Sequence, residues 1–190
     1  MNGCRNWKRR LAGSAVAASM LIGGPAALAV TQDGTVGPDS TGTVDVRIFV
    51  PDLVLIENLD DILLNYIPGG GDVVVTEPFC IWATAGTLYD ITISSDTPTS
   101  TSTFVANGTS GSVQYTVDFD DAAAGGGWES VVEGALLNNA GAGYVGAAGV
   151  PPGCPSDNAR LRVSAAEASN LDSAVADTYG DTLTLLVTPL

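Results

Sequence analysis

The sequence predicts an all-β protein built as an immunoglobulin-like antiparallel β-sandwich. Short alternating segments recur along the chain, Gly- and Asn-rich turns separate them, and no stretch carries a sustained helical stripe. The alternation is clearest in "SVQYTVDF" (112–119), where Val113, Tyr115, Val117 and Phe119 share one face. In "LYDITISS" (88–95), Tyr89, Ile91 and Ile93 stand opposite Asp90 and Thr92. A period of two sends one row of side chains to a core and the other to water.

Taken in order, the first element is "TGTVDVRIFVP" (41–51). Val44, Val46, Ile48 and Val50 alternate there with Thr43, Asp45, Arg47 and Phe49. Pro51 has no N–H to donate and marks where pairing should stop. "DLVLIENLDDILLNY" (52–66) is apolar without a clean period, and a strand is expected near residues 53–57. "PGGGD" (68–72) reads as a loop. Further strands are expected at "DVVV" (72–75), "FCIWAT" (79–84), "LYDITISS", "STFVA" (102–106), "SVQYTVDF", "ARLRVSA" (159–165) and "DTLTLLV" (181–187). "ANGTSG" (106–111) has the Asn-Gly chemistry of a hairpin loop. One or two helical turns are expected within residues 164–178.

Residues 1–29 read as a signal peptide. Arg5, Lys8, Arg9 and Arg10 precede an apolar stretch, and Ala27-Leu28-Ala29 offers a cleavage site. Pro25 and the neighbouring glycines make the stretch a poor spanning helix, so stable membrane insertion is not expected. Residues 30–51 then form an N-terminal extension, and residues 52–190 form the sandwich domain. Cleavage would remove four of the seven basic residues and none of the 21 acidic ones, leaving a net charge of −18. Such a surface repels phosphates and anionic lipid, which excludes nucleic acid as a partner.

Two cysteines lie beyond the leader, Cys80 and Cys154. An even pair in an exported chain reads as a disulfide. A metal pair is the alternative, but two thiols in a chain without His offer too few ligands.

Several stretches suggest chemistry and fail on context. "GAGYVG" (141–146) matches the dinucleotide fingerprint, yet Pro151-Pro152 forbids the helix that would hold the pyrophosphate. "DFDDAAAGGGWE" (118–129) places Asp118, Asp120 and Glu129 at calcium-loop positions one, three and twelve. Ala123 stands where that loop requires Gly, so an acidic hairpin end is expected rather than a metal site. With neither His nor Lys after the leader, nucleophile–base pairs that use them are absent. Asp118, Asp120, Asp121, Glu129 and Glu133 are close in sequence, but acids are abundant throughout. No catalytic residue, cofactor or metal is expected. Trp82, Trp128 and Tyr144 could stack on a sugar, although Trp82 beside Cys80 reads more simply as core.

Four stretches, in order, resemble the spore coat protein U domain found in archaic chaperone–usher pilins of the Csu type. "TGTVDVRIFV" resembles their donor strand, and "FCIWATAGTLYDITISSD" (79–96) their Cys-containing strand with its aromatic successor. "VQYTVDFDDA" (113–122) resembles a following strand and turn. "DTYGDTLTLLVTP" (177–189) resembles their closing strand, with Tyr179 and Asp181 in matching positions. Those pilins often pair the first Cys with one near "DLVL"; none is present there, leaving Cys154 as partner.

The resemblance implies an incomplete sandwich completed by donor-strand exchange. Val44, Val46, Ile48 and Val50 would enter a neighbouring subunit. It also implies neighbouring copies or related pilins, a periplasmic chaperone and an outer-membrane usher as partners. The expected function is a structural subunit of an extracellular, cell-surface filament supporting adhesion or biofilm formation. The alternative is a self-contained secreted adhesin or carbohydrate-binding module, in which residues 42–50 are simply its own first strand.

Overall fold

A computed structural model describes residues 34–99, 101–122, 127–149 and 154–190. The signal-peptide reading of residues 1–29 lies outside the described residues. The chain divides into two units, Met1–Phe49 and Val50–Leu190. In the first, the described residues form no strand from 44 to 49, and Val44, Val46 and Ile48 are exposed.

Among the described residues, the second unit holds ten strands: β1 (Val54–Glu57), β2 (Val73–Ala83), β3 (Leu88–Ser95), β4 (Phe104–Asn107), β5 (Ser112–Asp120), β6 (Glu129–Ser130), β7 (Leu136–Leu137), β8 (Tyr144–Val145), β9 (Ala159–Ala165) and β10 (Leu183–Pro189). They form two antiparallel sheets. One has the order β1-β2-β9-β5-β4, with β6 pairing β5; the other is β10-β3-β7, with β8 pairing β3. The all-β sandwich expected from the alternation is therefore present, and the helical content of 164–178 is one turn at Glu167–Leu171.

The core is built from the rows that the alternation defines. Val113, Val117 and Phe119 of β5 and Ala159, Leu161 and Val163 of β9 face Tyr89, Ile91 and Ile93 of β3. Phe119 meets the Tyr144 ring edge-on at 5.1 Å between centroids. On the outer face, cross-strand neighbours become ion pairs. Asp118 sits opposite Arg162 and Asp120 opposite Arg160, at 2.8 and 2.7 Å.

The segments at 72–75 and 79–84 are a single eleven-residue strand, β2, running through Pro78. Between Val73 and Phe79, β2 pairs with β9 alone among the named strands, so its other edge tolerates a missing N–H.

Candidate assembly groove

Beyond Glu57 the chain leaves the ladder. Residues 59–66 run beside β2 without forming a strand, tied to it where the Asp60 N–H donates to Glu77 at 3.1 Å. Their side chains still alternate: Ile62, Leu64 and Tyr66 are half-buried, whereas Asp61, Leu63 and Asn65 are exposed. In the opposite sheet, β10 pairs with β3 and with no other named strand, so its second edge is free.

An apolar groove of about 1000 Å³ lies between these two elements. Ile62 and Leu64 form one wall, Leu183 and Leu185 the other, and Leu161 and Val163 line it from β9. The walls run in opposite directions. Leu53 and Leu190 both lie at the β2–β3 turn, held by hydrogen bonds of 3.0 Å to the Thr84 N–H and 2.9 Å to the Leu88 carbonyl.

Polar clasps hold the far end of each wall. The Tyr66 hydroxyl donates to Asp172, and Glu167 accepts from the Gly69 and Gly71 N–H groups at 2.6 and 2.9 Å. Gly69 and Gly71 both have positive φ, which lets their two N–H groups turn towards one carboxylate while that of Gly70 bonds the Ile67 carbonyl. At the start of β10, Asp181 accepts from the Tyr115 hydroxyl and, at 2.8 Å, from the Ser95 hydroxyl. Burial raises the Asp181 pKa, and the neighbouring Asp96, hydrogen-bonded to it, is held below the usual carboxylate range. Burial together with the Asp181 hydrogen bond raises the Tyr115 phenol. Asp177 is pulled down to about 2 by donors from Thr109, Thr178 and Ser110.

The predicted site residues fall in distinct places. Cys80 and Cys154 are joined as a disulfide, with Cα atoms 6.1 Å apart, and the Cys154 N–H donates to Glu57 at 2.8 Å. Val44, Val46, Ile48 and Val50 are exposed. Asp118 and Asp120 are engaged by arginines and Glu129 by the Tyr144 hydroxyl, so the carboxylates expected at a hairpin end are in ion pairs and hydrogen bonds. No group of potential metal ligands occurs among the described residues.

The structure does not assemble Trp82, Trp128 and Tyr144 into a platform. Tyr144 is in the core and Trp82 is buried, its indole N–H donating to Gly149 at 3.3 Å. Trp128 lies 4.6 Å from the Arg160 guanidinium and 4.4 Å from that of Arg162. Sequence reasoning missed the wall at 59–66 and the Glu167 clasp. The Ile62-Leu64-Tyr66 alternation was the available signal for the wall.

No family profile and no curated protein matches the chain. Among solved structures, it is similar to a chain of a chaperone–tip adhesin complex described as vital for synergistic activation of CFA/I fimbriae biogenesis. The identity is 19%, the TM-score is 0.51, and the match covers 72% of this chain. It spans 41% of that other chain. The likeness establishes an all-β sandwich fold shared with that chain. No helix among the described residues is long and apolar enough to cross a membrane.

Proposed function

We propose that the chain is a structural subunit of an extracellular, pilus-like filament, of the spore coat protein U type, assembled by donor-strand exchange. The observation that carries this reading is the apolar groove beside the free edge of β10. An unpaired edge with an apolar trough invites an added strand. Residues 44–50 supply a matching element: four apolar side chains at every second position, with no ladder of their own.

Burying each of Val44, Val46, Ile48 and Val50 stabilises the contact by roughly 1.5–3 kcal/mol before ordering costs. A head-to-tail contact between copies does not close on itself, so it propagates as a filament. A groove of this kind needs cover during export, the role that a periplasmic chaperone and an outer-membrane usher fill in this reading. The subunit then acts outside the cell, in adhesion or biofilm formation, without catalysis.

The test is Ile48→Asp in the full chain. Export should persist while surface filaments disappear by electron microscopy. Filaments of normal length and number would sink the reading.

A further inference from the structure

The inward row Val44, Val46, Ile48, Val50 is almost uniform, which leaves a question of register. Sliding a strand by one residue turns its apolar row outward, whereas sliding by two keeps it inward and changes little. The apolar groove therefore selects poorly between registers two residues apart. Only the outward row, Asp45, Arg47 and Phe49, differs enough at each position to choose.

The groove's outer rim is equally uneven. On the wall at 59–66 the exposed row reads Leu59, Asp61, Leu63, Asn65. Leu63 and, on the β10 side, Leu186 are strongly exposed apolar residues. Asp60, Asp61, Asp177 and Asp181 border the groove. Asp61 has no hydrogen-bond or ion-pair partner among the described residues. Arg47 is exposed, and among the described residues it is the one cation outside the Arg160 and Arg162 ion pairs.

We infer that Arg47 of one copy pairs with Asp61 of the next, and that this contact fixes the donor-strand register. The inference rests on the filament reading above. With Arg47 beside Asp61, Phe49 falls beside Leu59 or Leu63, whichever way the strand runs. A slip of two residues instead sets Asp45 or Phe49 against Asp61. The first juxtaposes two carboxylates and the second puts an aromatic ring against a charge. Like charges directly opposite on neighbouring strands are destabilising. The occupant is thus a second copy of this chain, selected by charge at the rim and by apolar burial beneath it.

The experiment uses the full chain and measures the sedimentable polymer fraction at low salt. Arg47→Glu and Asp61→Arg should each lower polymer formation about five- to tenfold, since each turns an attractive contact repulsive. Mixing these two variants should restore it, because each donor then meets a groove of opposite charge in the other copy. The double variant should also polymerise alone. High salt, ~1 M, should shrink the single-variant defects by screening. Unchanged melting temperatures would confirm that these surface changes leave the fold intact. Normal polymer from Arg47→Glu, or no rescue on mixing, would overturn the register contact. Val46→Asp run in parallel separates the two ideas: if it also polymerises normally, the filament reading beneath them fails.

Discussion

Two stretches of this chain carry nearly the same pattern and have opposite fates. In β5, Val113, Tyr115, Val117 and Phe119 alternate with polar residues, and the row is buried between the sheets. In residues 44–50, Val44, Val46, Ile48 and Val50 alternate as cleanly and stand in water. The difference is the pairing: β5 pairs with β4, β6 and β9, whereas residues 44–49 form no strand among the described residues. Alternation encodes readiness to pair. It does not name the partner.

The same substitution in both rows gives the largest contrast. Val117→Asp puts a carboxylate at a fully buried position and should destabilise the domain by about 4 kcal/mol or more, seen as loss of folded protein. Val46→Asp, at an exposed position, should shift the thermal midpoint by a degree or so at most, roughly the scale of a neutral surface change. A large shift there would show that residues 44–50 complete their own domain. Replacing Cys80 and Cys154 together by Ala should lower stability by about 4 kcal/mol in denaturant titration, the chain-entropy value for a loop of this length.

A smaller effect probes the groove wall alone. Glu167→Gln replaces the carboxylate that accepts from Gly69 and Gly71 and should weaken the clasp by about 1 kcal/mol. Faster hydrogen exchange confined to residues 66–72 would report it. The smallest concerns acid. The Asp177 pKa is depressed from 3.8 to about 2, so its contribution is present above pH 3.8 and is lost as pH falls towards 2. Asp177→Asn should flatten that part of the melting-temperature profile and leave the profile above pH 5 unchanged.

Much of the sandwich was legible because buried rows leave a period-two trace. The boundaries of β9 are those of "ARLRVSA", and β5 gains only Asp120. The join of 72–75 and 79–84 into β2 was not legible, since whether Pro78 fits within a strand depends on which edge of β2 has a partner, and tertiary neighbours settle that. The two-residue strands β6, β7 and β8 are too short to show a period. Asp118 and Asp120 suggested a loop of acids, but their charges are matched by Arg160 and Arg162 forty residues away, a pairing that only the β5–β9 register creates. The guanidinium neighbours of Trp128 are likewise distant from it in sequence. The groove was half visible: Ile62, Leu64 and Tyr66 alternate, but Leu59, Leu63 and Ile67 blur the pattern.

The disulfide has a topological consequence. Joining residues 80 and 154 makes a covalent ring that contains the end of β2 and all of β3 to β8. Both flanks of the groove, residues 59–66 and β10, lie outside that ring. The crosslink therefore anchors the finished part of the sandwich while the two flanks remain tethered only by their own backbone and side-chain clasps. Under the filament reading, parting these flanks to receive a strand would strain no covalent bond.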